Sequence, residues 1–568
     1  MHRFVAVLLA IGVSGLGQEP QTPADRPQPG RLAGERSYPE IVAPPRVGVS
    51  ISQTKLSLAD AIQMALANNL DVEIDKTNVS IAEENVQAAH GFFDPNFRWV
   101  PAYNLVNAPT GSVLQGATGI TTDRSFGNDF YYKQMLPNHG TSFHVDFLNN
   151  RATTTNPFSS FVPYYQSRLI AGFDQPLLRN RETDQYRTEL QVRQKQVSIS
   201  RLDFETRVVD IVTQVQTAYW NLAAARADAG VNREVAGQAQ EQLAINRRMV
   251  KAGTVAPVEL AASEAELERR LDSFYSSLEI ITQVENQLKT LLSKDRNSDL
   301  WHDEIIPTDR ERLPDPKYDE VRAAVIAALD RRPELKAVTV RQEINDLQKV
   351  YTRNQTRPQI DIVGEYLLTG FAGSPLTETN PFTASQAAIY DRLNTLSAQQ
   401  GLPPLSPATG NLPEFLTGGY GTNLGNLFGG RYQSFQAGIS VDLNIRNRTA
   451  NANYAETVIA ERRLKLEKAK AEQLVEAQVR DALQGIESSK QRINAADSSV
   501  KAAREKLESE TRLYQTGEST NFLVLTRQNE LADSRRRYIL AMLDFNKSIA
   551  RLQQAVGTTL ADNRIKLP

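Results

Sequence analysis

The chain has no cysteine. That excludes disulfides, thiol chemistry and lipid attachment at a cysteine. Histidine is nearly as scarce, five residues in 568. His139 and His144 stand close together but bracket a strand turn, with no carboxylate cluster at ligand spacing, so no metal site is expected. There is no Ser-His-Asp signature and no paired acids in a pocket context. The glycines from Gly418 to Gly430 lack the Gly-Lys-Ser/Thr ending of a phosphate loop. No enzyme activity and no cofactor are therefore expected. A charge excess is missing as well: the formal net charge is −2, which gives no basic face and no support for nucleic-acid binding. Long apolar runs are absent apart from Phe4 to Leu16, after His2 and Arg3. That run falls short of the ~20 residues needed to span a bilayer, so residues 1–17 read as a signal peptide cleaved after Gly17. An exported chain of this kind meets a membrane through strands or not at all.

Heptads are what the chain has in quantity. Val479, Ile486, Ile493, Val500, Leu507 and Tyr514 keep a seven-residue step, with the small Ala482, Ser489, Ala496 and Ala503 beside the first four. After Gly517 the step resumes at Val524, Leu531, Tyr538, Phe545 and Leu552. Such a pattern predicts supercoiled helices along an apolar seam; an ordinary helical bundle is the alternative. The same pattern occurs earlier, from Val215 to Val250, through Gly253, then from Leu260 to Leu288. The chain is a tandem duplication.

Taken in order, a Pro-rich leader covers 18–55 and reads as disordered. The first repeat is 56–300: two helices, strands at about 96–177 and a helical hairpin at 183–293. Residues 301–316 read as a linker with Pro307, Pro314 and Pro316. The second repeat is 317–557, with two helices, strands at about 359–445 and a hairpin at 450–556; a tail, 558–568, follows. Strand signals are Phe97, Trp99 and Tyr103; Phe143, Val145 and Phe147; Leu169 to Gln175; Ile360 to Gly364; and Phe435 to Val441, with a weaker one at Asp129 to Met135. Two long irregular inserts are expected, Asn104 to Thr141 and Thr369 to Arg431. The fold class is mixed α and β, mainly long helices. Each long helix would reach roughly 100 Å at 1.5 Å per residue. The two short helices of each repeat could stack end to end along it.

This order, given twice after a signal peptide, resembles the TolC family of outer-membrane efflux channels over about Leu56 to Gly557. The sharpest part is the turn signature, "RRMVKAGTVAPVELAASEAEL" from Arg247 and "TRLYQTGESTNFLVLTRQNEL" from Thr511. The resemblance implies a TolC-like outer-membrane β-barrel continued by a periplasmic α-helical coiled-coil barrel, assembled as a homotrimer with four strands from each chain. It implies an exit duct of a tripartite efflux pump or type I secretion system, in contact with outer-membrane lipid, a periplasmic adaptor and an inner-membrane transporter. The strand signals near Asp129 and Phe143 exceed four per chain; they either join the barrel or form an outer hairpin above it. A soluble periplasmic coiled-coil adaptor is the other reading; it leaves the aromatic strands unexplained.

By the same resemblance, Gly253, Thr254, Gly517 and Glu518 are the tip residues that meet an adaptor. The family's gating tyrosine falls on Tyr514. Its aspartates fall on Leu523 and Thr526, so that acidic constriction is missing. Glu259, six residues past Gly253, is the candidate for a carboxylate ring in the trimer. The expected gate is Tyr514, Leu523, Thr526 and Glu259.

Overall fold

The computed structural model describes residues 41–50, 52–111, 119–309, 320–376, 381–405 and 412–567. The expected signal peptide, most of the leader, and Pro314 and Pro316 lie outside these residues. The helices are α1 (Leu58–Asn68), α2 (Leu70–His90), α3 (Gln185–Lys251), α4 (Pro257–Leu292), α5 (Val321–Arg331), α6 (Pro333–Gln355), α7 (Pro381–Gln399), α8 (Tyr420–Phe428), α9 (Arg448–Gln515), α10 (Asn521–Val556) and α11 (Thr559–Asp562). The strands are β1 (Gln53–Leu56), β2 (Asn96–Pro109), β3 (Ile120–Met135), β4 (Ser142–Thr154), β5 (Phe161–Pro176), β6 (Glu304–Pro307), β7 (Gln359–Pro375) and β8 (Tyr432–Asp442). Helices α3 and α9 have 67 and 68 residues, so each reaches roughly 100 Å.

The heptads bury their seams. Val215, Leu222, Leu243, Leu267, Leu288, Val479, Val524 and Phe545 are all buried. Each such side chain contributes about 1.5–3 kcal/mol relative to exposure. The helices form four neighbouring columns: α2 above α4, then α3, then α6 above α10, then α9. Asn69 joins the first column. Its side-chain amide donates to the Leu291 carbonyl at the end of α4 (3.2 Å), while its Oδ1 accepts from Asp71 and Val72 at the start of α2. Asn68 donates to the Leu292 carbonyl in the same way (3.2 Å). Two helix ends thus satisfy each other through one short polar joint.

The leader and linker are more ordered at their junction than composition suggests. Strand β1, inside the expected leader, pairs in parallel with β6, inside the expected linker. Arg46 reaches Glu285 on α4 at 2.7 Å. A Pro-rich composition disfavours helix, but four residues of backbone pairing and an ion pair hold this segment. Leu560, Ile565 and Leu567 of the tail pack on the core of the first repeat.

Six strands form one antiparallel sheet in the order β2-β3-β4-β5-β7-β8. This corrects the expectation of four strands per chain and decides between the two readings of the extra strand signals. The first repeat supplies four strands and the second two, and β3 and β4 are continuous members of the sheet rather than a hairpin above it. The stretch Asn104 to Thr141 is largely strand, because β2 continues to Pro109 and β3 pairs with it along its whole length. The second insert is likewise not irregular throughout: it holds α7 and α8. The "RNR" turns that end the two strand regions match closely. Asn180 and Asn447 both take positive φ (66° and 29°) and both hydrogen-bond the end of α6, a conformation asparagine tolerates better than most residues.

The register fixes how the sheet curves. The perpendicular row Asn96, Lys133, His144, Gly172, Glu365, Gln436 begins at the lower end of β2. It reaches β8 six residues above that strand's lower end, Asp442. Such a climb corresponds to a strand tilt of about 40°, the value of closed barrels. Thr110 donates to Gly119, so even-numbered residues of β2 aim their amides at β3. With the natural twist of sheets, this climb and this parity put odd-numbered residues of β2 on the convex side. They are Phe97, Trp99 and Tyr103, each more than half exposed. Phe130 and Phe147 continue the row of rings, with centroids 6.4 Å apart.

Candidate functional site

Both hairpins turn through the same device. Gly253 and Gly517 sit at φ 73° and 83°. Gly253 N–H donates to the Val250 carbonyl and Thr254 N–H to that of Met249; Gly517 and Glu518 do the same to Tyr514 and Leu513. This is the glycine-closed helix end in which a left-handed residue satisfies the last carbonyls. A β-branched residue there is strained, so Gly517→Val should destabilise the tip by about 1–2 kcal/mol. Limited proteolysis should then cut near residue 517 faster than in the parent. Gly253, Thr254, Gly517 and Glu518 are exposed. Five residues beyond each glycine stand Val258 and Phe522, 70% and 73% exposed at matching places.

A buried polar cluster lies just inside the tips and joins all four hairpin helices. Asn246 of α3 is fully buried. Its Oδ1 accepts from the Tyr514 hydroxyl of α9 at 3.2 Å and from the Gln242 amide at 3.1 Å. Its Nδ2 donates to Ser263 Oγ of α4 at 2.6 Å. Gln242 also donates to Asn521 Oδ1 of α10 at 2.9 Å, and the Asn521 amide reaches Glu259 Oε2 at 3.4 Å. Burial first, and the Glu259 charge second, push the Tyr514 phenol above its ordinary pKa, so it remains a neutral donor. Of the expected gate residues, Tyr514 and Glu259 therefore meet through this cluster. Leu523 is exposed, and the Thr526 hydroxyl turns back to the Phe522 carbonyl. The sequence reading missed Gln242, Asn246, Ser263 and Asn521. A signal existed: Asn246 and Ser263 fall three residues past the seam positions Leu243 and Leu260, and Asn521 falls three before Val524. Amides at seam positions specify partner and register.

The sheet has two chemically distinct faces. Every Asp and Glu of its six strands points to the concave side: Asp123, Asp129, Asp146, Asp174, Asp361, Glu365 and Asp442. Arg98, Lys133 and Arg168 share that side. The convex side carries rings and aliphatic residues together with uncharged polar residues such as Asn128, Asn149 and Ser167, and among the described strand residues its only charges are Arg124 and Arg151. Apolar outside and polar inside is the pattern of a transmembrane barrel strand, inverted from a soluble sheet. No helix among the described residues is long and apolar enough to cross a membrane.

A convex apolar sheet carried on a four-column helical stem defines an outer-membrane channel with a periplasmic tunnel. Residues 150–294 and 409–558, one stretch in each repeat, match the model of the outer membrane efflux protein family, and the chain belongs to that family. No curated protein matches it by sequence. Solved structures share its fold at low identity. The CmeC outer membrane channel of Campylobacter jejuni is 15% identical, with a TM-score of 0.59, covering 88% of this chain and 86% of that one. VceC of Vibrio cholerae is 13% identical with a TM-score of 0.57, covering 88% and 96%. The open state of the MtrE channel of Neisseria gonorrhoeae is 15% identical with a TM-score of 0.54, covering 89% of each. The soluble adaptor reading does not survive the six-stranded sheet and the family match.

Proposed function

We propose that three copies join their sheets edge to edge into one barrel, which serves as the passive exit duct of a tripartite efflux pump or a type I secretion system. One observation carries this reading. The sheet of a single chain has free edges at β2 and β8, and exposed edges in lipid cannot persist. Six strands at ~4.8 Å spacing and ~40° tilt subtend an arc of about 38 Å. Four helical columns at ~8–10 Å spacing subtend about 32–40 Å. Six strands therefore let barrel and tunnel continue at one width, whereas four would narrow it by about a third. Three copies, the number the family resemblance implies, give eighteen strands above twelve columns.

The tips are the docking end. Gly253, Thr254, Gly517 and Glu518, flanked by the exposed Val258 and Phe522, form the contact for a periplasmic adaptor, which couples the duct to an inner-membrane transporter. The cluster of Tyr514, Asn246, Gln242, Asn521, Ser263 and Glu259 acts as the latch: it holds the two hairpins of one chain together, and opening breaks it. Leu523 and Thr526 line the same tip without joining the latch.

The concave face sets the ion preference. Seven carboxylates against three cations in each chain give the barrel lumen a negative potential. Planar-bilayer recording under a salt gradient should show cation preference at low ionic strength, fading toward 1 M salt as the Debye length falls to ~3 Å. Anion preference at low salt would contradict the assignment of the concave face to the lumen.

A further inference from the structure

Helix α8 is built inside out. Its sheet-facing side is mostly polar, with Leu427 the one buried apolar residue there: Asn423 donates to Ser167 Oγ at 2.6 Å, and Asn426 donates to the Phe371 and Phe415 carbonyls at 2.9 and 2.7 Å. Tyr420 hydroxyl donates to Asn149 Oδ1 at 2.9 Å, and Ser167 hydroxyl donates to the same oxygen at 2.7 Å. Asn149, Ser167 and Asn423 are all buried. The opposite side of the helix carries Gly421, Leu424, Gly425 and Phe428, and Phe428 is 67% exposed. A surface helix in water shows the reverse arrangement, with apolar residues inward and polar residues outward. Gly370 beneath it permits the close seat: a Cβ there would collide with the Asn423 carbonyl and the Leu427 side chain.

The register places this helix on the convex face. Asn149 and Ser167 are paired neighbours on β4 and β5, and Gly370 is the partner of Ser167 on β7. They stand one alternation above Phe147, Leu169 and Leu368, which belong to the convex apolar band. On β7 that band runs from Ile360 to Leu368, about 20 Å along the membrane normal at ~40° tilt. A typical band is ~25 Å tall. Helix α8 begins where the strand band ends, on the side away from the hairpin stem.

We infer that α8 is a membrane-seated collar: it lies on the outer surface of the barrel in the outer leaflet, its amides covering Asn149 and Ser167 and its Leu424–Phe428 side facing lipid acyl chains. The inference rests on the convex face being the lipid face. It explains why Asn149 and Ser167 stand on that face. Uncovered, Asn149 and Ser167 would keep only each other and the Asn128 carbonyl as partners at the apolar edge; α8 adds the Tyr420 and Asn423 bonds and shields the pair from lipid. It also raises the band to full height on this side. Arg124 and Arg151, the only charges on the convex face, are exposed on the same upper half of the sheet, placed for anionic headgroups.

The absence of cysteine makes the test direct, since a single introduced thiol is the only labelling site. Phe428→Cys, Ile439→Cys and Gln436→Cys, each carrying a polarity-sensitive fluorophore, are reconstituted in vesicles with or without spin-labelled phospholipid. Ile439 reports the convex band and Gln436 the concave face. The expected result is that the probes at 428 and 439 lose most of their emission to spin-labelled lipid and resist aqueous iodide, while the probe at 436 does the opposite. Leu424→Cys should repeat the result at 428. Iodide quenching without lipid quenching at 428 and 424, with 439 still lipid-quenched, would overturn the collar and leave the barrel reading intact. Iodide quenching at 439 would overturn the face assignment itself.

Discussion

Asn246→Ala should raise the open probability of the reconstituted channel by tenfold or more. The alanine removes an acceptor for Tyr514 and Gln242 and a donor to Ser263 at a fully buried position. Buried groups left without a partner cost about 1–3 kcal/mol. That cost falls on the latched state, because the separated tips expose the same groups to water. About 1.4 kcal/mol corresponds to tenfold in the equilibrium. Tyr514→Phe removes one bond from the same cluster and should give a smaller shift in the same direction. Single-channel recording in planar bilayers measures both. If Asn246→Ala and Tyr514→Phe both gate like the parent, the cluster only packs the tips and is not a latch.

Glu285→Leu should cause the largest loss of stability. Lys289 and Glu285 are buried, with their charged ends 2.8 Å apart. The ammonium also donates to the Trp301 and Asp303 carbonyls at 3.1 and 2.6 Å. The carboxylate also takes Arg46 at 2.7 Å and the Ile305 amide at 3.3 Å. This pair ties α4 to the β1–β6 ribbon, so it closes the joint between the two repeats. Removing one partner of a buried pair costs about 3–5 kcal/mol, because the other charge is left in a poor dielectric. Thermal unfolding of the extracted protein should shift downward, with early loss of protection at 301–305 in hydrogen exchange. Replacing both, Glu285→Leu with Lys289→Met, should recover much of the loss. A single variant as stable as the parent would mean that the Trp301 and Asp303 carbonyls suffice for Lys289.

The helical half of the molecule was legible because one signal dominates it. A seven-residue step held from Val215 to Val250 and again from Val479 to Tyr514 has few structural solutions, and glycine followed by a polar residue marks each tip. The helix bounds at Gln185, Lys251, Asn521 and Val556 fall close to the expected ones. The sheet was harder. In β3 the alternation is broken by Gly127 and Asn128, and Arg124 stands on the apolar face above the ring band, so the strand reads as weak. It is held by pairing to β2 and β4, which no local pattern reports. Helix α8 was invisible for the same reason. Gly421 and Gly425 make a poor helix in isolation, and amide bonds to Ser167 and to Phe371 hold it in place. Tyr514 and Glu259 were found through the family's turn signature, while Asn246 and Asn521 required reading polar residues as members of an apolar seam.

The most direct test of the account is an image of the assembled particle in a lipid disc, at a resolution that separates strands. The account predicts three chains, eighteen strands in one closed barrel, and twelve helical columns of matching circumference below it. Twelve strands, with β2 and β3 folded away from the wall, or any assembly in which β8 does not pair with β2 of the next chain, would contradict it.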